Sequence, residues 1–174
     1  MQSQEIETKI VNFVSSRIEK ICVRKKNDSS NCLPKIGIVS CINYQNHTAI
    51  KRLFMILKAF NNSFIILGGG NKWGADGYIR QMSTNLKYQF IEYIPTHFEH
   101  RETSFFPKKF HNSRFNVDNF NIRYQYLFFD CDMLFILKDT TKEDISIKRL
   151  IEYSRASQAS KDVFIIDENY IYSK

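Results

Sequence analysis

The sequence predicts one α/β domain of Rossmann-like build, with a mainly parallel sheet of about five strands and helices on both faces. Short apolar runs typical of buried strands alternate along the chain with longer segments whose apolar residues recur at helical spacing. The chain has 174 residues, of which 43% are hydrophobic, and this is enough for one domain with a sizeable core. These observations favour a three-layer α/β/α fold over an antiparallel sandwich.

Five segments have the composition of strands that are buried on both faces. They are residues 35–40, 64–67, 90–94, 133–137 and 163–166. Helical periodicity predicts helices between them, over residues 46–60, 77–86, 118–129 and 143–159. Strands that alternate with helices in this way predict a parallel sheet, because each crossover helix returns the chain to the same edge.

The predicted domain has three parts. Residues 1–34 form a helical extension with one apolar stripe, residues 35–167 form the core, and the irregular stretch 96–117 is a lid or loop insertion. The stripe on the extension is also the basis for expecting a homodimer. Its members recur every three or four positions and are Ile6, Ile10, Phe13, Val14, Ile18 and Ile21.

The amino-acid composition indicates the cellular compartment of the protein and the charge of its binding partners. The 25 Lys and Arg against 18 Asp and Glu give a net charge of +7, which favours anionic partners. The four cysteines have no CxxC pairing and no zinc-site spacing, so reduced intracellular thiols are expected. Since no signal peptide or membrane span is evident, we expect a cytoplasmic protein with no membrane partner, no cofactor and no metal. The bias towards Lys, Asn, Ile, Phe and Tyr is typical of AT-rich coding, as in a phage.

Ligands of open parallel sheets bind beyond the carboxyl ends of the strands. The first four predicted strands end at residues 40–43, 68–70, 95–97 and 138–141. The strongest local signal is the glycine turn, residues 67–77, which lies between a strand and a helix and contains three consecutive glycines. Such a turn allows close approach of a ligand, and the helix start can bind phosphate. The alternative is a structural turn with Asp76 as the helix N-cap.

These residues resemble the SLOG superfamily of Rossmann-like proteins, in particular its YspA- and YpsA-like branch. The likeness rests on Gly69-Gly70 to Gly74-Ala75-Asp76, on Pro95, and on Arg123 nine positions before Asp132. It covers about residues 35–167. The chain departs from the family at residues 40–43, where glycine and arginine are usual, at Tyr124, and at 138–142, where the Gly-Thr turn is missing. The PGGxGTxxE motif of the related Lonely Guy phosphoribohydrolases is also absent.

The resemblance implies that the protein binds a nucleotide or a nucleotide-derived molecule such as ADP-ribose, either to sense or sequester it or to cleave an N-glycosidic bond. Backbone amides of the glycine turn would hold phosphate, while Arg80 or Arg123 would neutralise charge. Hydrolysis would require a carboxylate near the ribose, for which Asp76 and Asp132 are the candidates. The full set of predicted ligand-binding residues is Ser40, Cys41, Asn43, Gly68, Gly69, Gly70, Trp73, Gly74, Ala75, Asp76, Arg80, His97 and Arg123.

A second interpretation is a nucleic-acid-binding protein, because DprA-like proteins with a related domain bind single strands. The positive charge would supply phosphate contacts, and aromatic side chains would stack on bases. These aromatics are Tyr88, Phe98, Phe105, Phe106, Phe110 and Phe115.

A third interpretation is a glycosyltransferase that uses a nucleotide sugar. Asp130-Cys131-Asp132 has the form of the DxD element that holds a metal and a diphosphate in such enzymes. A preceding strand would be needed, whereas Ile122, Tyr126 and Phe129 predict a helix there. We therefore expect no metal at these carboxylates.

Overall fold

The structure is a computed structural model and describes residues 2–27, 33–60, 64–71, 74–95, 105, 114–139, 143–157 and 162–167. The predicted lid, residues 96–117, lies largely outside these ranges. The described elements in chain order are α1 (Gln2–Asn27), β1 (Lys35–Ser40), α2 (His47–Ala59), β2 (Ile65–Gly68), α3 (Asp76–Asn85), β3 (Gln89–Glu92), α4 (Val117–Asp130), β4 (Met133–Lys138), α5 (Ile145–Ala156) and β5 (Asp162–Asp167).

The five strands form one sheet in the order β3-β2-β1-β4-β5, and every neighbouring pair is parallel. Lys35 of β1 lies beside Ile65 of β2, and Ile36 lies beside Met133 of β4. The order reverses direction between β1 and β4, since β2 and β3 extend the sheet to one side and β4 and β5 to the other. The predicted parallel sheet and three-layer Rossmann-like fold are confirmed.

The helices cover both faces because right-handed crossovers in opposite directions place them on opposite sides. α1 contacts α2 and α2 contacts α3 on one face, while α4 and α5 contact each other on the other. β1 and β4 at the centre are buried over nearly their whole length, as their continuous apolar runs require. Within the described ranges, no helix has both the length and the apolar character needed to cross a membrane.

The apolar stripe of α1 packs against the sheet of the same chain. The ring of Phe13 lies 5.0 Å from that of Phe164 and 6.1 Å from that of Phe135, and Arg17 forms a 3.0 Å ion pair with Asp162. The stripe therefore packs on β4 and β5, and it gives no separate reason to expect a homodimer. Its buried members are Ile10, Val14, Ile18 and Ile21.

Phe135 tests this packing, because its fully buried ring joins α1 to the sheet. We expect Phe135→Ala to lower the free energy of unfolding in urea by about 3–5 kcal/mol, as usual for a cavity left by a buried ring. Phe129→Ala is the matched control, since that ring is 58% exposed and packs against neighbouring rings on α4 and α5. Its loss should cost about 1 kcal/mol. Equal losses in the two variants would contradict this description of the core.

Candidate functional site

The glycine turn is packed tightly into the carboxyl edge of the sheet. Gly70 and Gly74 have φ values of 65° and 78°, which favour glycine. A Cβ atom on Gly70 would lie 2.8 Å from the Cα atom of Ile94, and one on Gly74 would lie 2.8 Å from the carbonyl oxygen of Ile42. Gly70 and Gly74 are therefore required because the backbone of the turn packs closely against other parts of the chain. Gly70 lies against the residues that follow β3, and Gly74 lies against the residues that follow β1.

Asp76, the first residue of α3, points its carboxylate into the protein. Its Oδ2 accepts a 2.8 Å hydrogen bond from the backbone amide of Asn71, and its Oδ1 accepts a 3.1 Å bond from the hydroxyl of Ser40. The N-cap position belongs to Ala75, and no side chain caps the helix there. The interpretation of Asp76 as an N-cap is therefore wrong. The carboxylate instead ties the glycine turn to the end of β1.

Arg123 of α4 reaches the same turn from the other face of the sheet. Its side chain is fully buried, with Nη1 donating to the carbonyl of Gly69 and Nη2 donating to the hydroxyl of Tyr124 at 2.8 Å. The guanidinium carbon lies 4.3 Å from the ring centroid of Phe120 and 4.2 Å from that of Tyr124. These contacts fix α4 against the end of β2.

Burial dominates the electrostatics of this polar cluster, which comprises Ser40, Gly69, Asn71, Asp76, Arg123 and Tyr124. Removal from water raises the pKa of Asp76 to about 6, although the nearby guanidinium of Arg123 and the two hydrogen bonds oppose the shift. The carboxylate of Glu92 raises it further. Burial likewise raises the pKa of Tyr124, so its hydroxyl stays protonated.

A cavity of about 480 Å³ opens at the same edge of the sheet, on the α5 side. Asp144 forms part of its wall and ends the segment after β4. The Asp144 side chain caps α5 through the amides of Ser146 and Ile147, and its Oδ2 accepts a 2.8 Å bond from the amide of Ile42. We call this the carboxyl-edge cavity; its lining is Cys41, Lys138, Glu143, Asp144, Ile147, Lys148, Ile151, Glu152, Arg155, Ile165 and Asp167.

The structure gathers some of the predicted ligand-binding residues and separates others. Ser40, Gly69, Asp76 and Arg123 meet in the buried polar cluster, next to the buried Gly68, Gly70 and Ala75. Cys41 lines the carboxyl-edge cavity, where burial raises the pKa of its thiol.

The remaining predicted residues lie apart from this cluster. Asn43 and Gly74 are exposed in their turns. Arg80 lies 3.4 Å from the carboxylate of Glu92. Trp73 and His97 are outside the described residues.

Asp132 lies at the opposite, amino edge of the sheet, immediately before β4. Its Oδ2 accepts a 2.8 Å bond from the amide of Lys35, while the Lys35 ammonium contacts Asp130. Tyr93 donates a hydrogen bond to the second oxygen of Asp130. The structure therefore does not bring Asp132 together with Asp76. Among the described residues, no group of three His, Cys, Asp or Glu side chains is arranged to hold a metal.

The aromatic residues of the nucleic-acid interpretation do not form a described surface. Tyr88 packs against the rings of Phe54 and Phe64, while Phe105 and Phe115 are exposed. Phe98, Phe106 and Phe110 lie outside the described residues.

No family model and no curated protein matches this chain.

Sequence reasoning missed most of the cavity lining. Lys138 stands at a predicted strand end, which was the available signal, but α5 and β5 supply the rest. Ile151, Ile165 and Asp167 belong to common residue types with no motif around them. Tyr124 was noted only as a departure from the SLOG pattern, whereas it is a hydrogen-bonding member of the polar cluster.

The raised pKa of Asp76 predicts a specific dependence of stability on pH. Between its usual pKa of 3.8 and about 6, the folded protein holds a proton on Asp76 that the unfolded chain has lost. The free energy of unfolding should therefore fall with rising pH in this window, by roughly 1 kcal/mol per pH unit at most. Asp76→Asn should remove this contribution. Urea unfolding of both proteins across the window checks it, and parallel curves would contradict the buried, titrating carboxylate.

The backbone of the glycine turn gives a second prediction. Gly70→Ala should destabilise the fold by about 1–3 kcal/mol, because the left-handed backbone is strained for alanine and Ile94 blocks its Cβ. Gly77→Ala is the control, since nothing lies within 4 Å of its Cβ position in α3. That change should be neutral or stabilise the fold by up to about 1 kcal/mol. Thermal melts measure both, and equal stability of the two variants would show that the turn is not packed as described.

Proposed function

We propose that this protein binds a nucleotide-derived small molecule in the carboxyl-edge cavity. The observation that carries the proposal is the position of the cavity, next to the reversal of strand order between β1 and β4. In open parallel sheets this reversal leaves a crevice beyond the strand ends, where ligands bind. The volume of about 480 Å³ is within the range of small-molecule sites.

The chemistry of the lining supports this ligand class. Ile147, Ile151 and Ile165 offer an apolar wall for a base or the face of a ribose. Lys138 and Arg155 offer positive charge for phosphate.

Carboxylates in the cavity supply the acceptors for hydroxyl groups. Asp144 caps α5, and Glu143 pairs with Lys148 at 2.7 Å. Glu152 also lines the cavity and is a candidate acceptor for a ribose hydroxyl. The resemblance to the SLOG superfamily favours the same class of ligand.

The proposal is for binding, as in sensing or sequestration. Asp76 is buried in the polar cluster and Asp132 lies at the amino edge, so neither candidate catalytic carboxylate lines the cavity.

Calorimetric titration with ADP-ribose and AMP tests the proposal. Lys138→Ala should weaken binding by about tenfold, which corresponds to the loss of one charge-assisted hydrogen bond. Ile165→Trp should abolish binding by filling the cavity from a partly exposed position on the edge strand. Lys58→Ala is the matched control, because it removes one exposed positive charge on α2, outside the cavity lining.

Three outcomes would contradict the proposal. The first is that neither ligand binds the wild-type protein, and the second is that binding survives both cavity substitutions. The third is that Lys58→Ala weakens binding as much as Lys138→Ala, which would indicate a diffuse charge effect. Thermal melts of each variant establish that the fold is retained.

A further inference from the structure

The walls of the carboxyl-edge cavity are held in two different ways. Lys138 and Ile165 belong to the neighbouring strands β4 and β5, and Lys138 lies beside Asp167 in the ladder between them. Backbone hydrogen bonds of the sheet therefore fix this wall. A second wall belongs to α5, whose position over the sheet depends on contacts of its side chains and of its ends. The shape of the cavity therefore depends on what holds α5 in place.

Asp144, the residue before α5, joins this helix to the segment that follows β1. Its Oδ1 atom accepts hydrogen bonds from the amides of Ser146 at 2.9 Å and Ile147 at 3.2 Å, as an N-cap does. Its Oδ2 atom accepts a 2.8 Å hydrogen bond from the amide of Ile42. Both connected segments belong to the lining, through Cys41 next to Ile42 and through Ile147 of α5. One side chain thus connects two walls of the cavity.

Capping of a helix does not by itself require the bond to Ile42. The helices α2 and α4 are capped by Asn46 and Asn116, each through one side-chain oxygen. Asparagine is about as favourable as aspartate at an N-cap, but its side chain has a single acceptor oxygen. A carboxylate has two, so it can cap α5 and accept from Ile42 at the same time. The residue type at position 144 therefore matches the double connection.

We propose that Asp144 is a positioning residue of the carboxyl-edge cavity. Its bond to Ile42 sets the distance between α5 and the end of β1, and thereby the width of the space that the ligand enters. Asp144 acts through Ile147, Ile151 and Arg155 of α5, which this bond holds at their places in the lining. The inference rests on the proposed function, because it assigns a role within the same ligand site.

Asp144→Asn separates the bond to Ile42 from the helix cap. The oxygen of asparagine can keep the bonds to Ser146 and Ile147, whereas its amino group, a donor, then faces the amide of Ile42. Hydrogen exchange of the ligand-free protein, followed by NMR, should show the amide of Ile42 exchanging at least about tenfold faster in the variant, since a charge-assisted hydrogen bond is lost. The amides of Ser146 and Ile147 should change much less.

Calorimetric titration with AMP measures the effect on the ligand site. We expect Asp144→Asn to weaken AMP binding by about tenfold, because α5 is no longer held at the width that fits the ligand. Asn116→Ala is the matched control, since it removes the cap of α4, outside the cavity lining. It should lower the melting temperature but leave the affinity for AMP nearly unchanged. A side chain at position 144 that merely stabilised the fold would behave like this control.

The two measurements can fail separately. Equal exchange of the Ile42 amide in Asp144→Asn and in the wild type would show that the connection between the walls does not form. Faster exchange with unchanged AMP affinity, or an equal loss of affinity in Asn116→Ala, would overturn the positioning role while leaving the proposed function intact. Failure of the wild-type protein to bind AMP and ADP-ribose would overturn the proposed function and with it the positioning role, even if Ile42 exchanges faster in the variant.

Discussion

The buried contact between the glycine turn and the charged side chains of Asp76 and Arg123 holds the carboxyl edge of this fold together. Asp76 brings the start of α3 to the end of β1 through Ser40, and Arg123 brings α4 to the end of β2 through the carbonyl of Gly69. Elements from both faces of the sheet meet at this point. Opposite charges buried together depend on one another, because either one alone would be left without compensation in a medium of low polarity.

Because of this contact, the consecutive glycines serve close packing within the chain. A glycine turn after a strand is open to a ligand only if its amides face solvent. Here Gly69 and Gly70 are buried against Tyr124 and Ile94, and the amide of Asn71 donates to Asp76. The space for a ligand lies beside it, where the strand order reverses and α5 begins. Ser40 in the polar cluster and Cys41 in the cavity lining are consecutive residues, so the cluster supports one wall of the proposed site.

Sequence reasoning recovered the fold because hydrophobic periodicity reports burial directly. The runs of β1 and β4 are continuous since both faces of those strands are covered, and all five strands lie within one or two residues of their predicted positions. Which side of each helix is buried was harder to predict. Phe129, one of the residues whose spacing predicted a helix before Asp130, is largely exposed, whereas Leu127 and Phe128 are buried. The site was only partly predictable. Asp76 and Arg123 were selected as ligand contacts, yet each is used to hold the turn. The cavity depends on how α5 lies over β5, which local sequence patterns do not encode.

The most direct test of the ligand site is a crystal structure of the protein grown with ADP-ribose. The account predicts electron density between α5 and the carboxyl ends of β4 and β5, with phosphate oxygens near Lys138 and an apolar face against Ile151 and Ile165. The polar cluster around Asp76 should be unchanged. Density for the ligand against the glycine turn instead, with Asp76 turned out of its bonds to Ser40 and Asn71, would contradict the account.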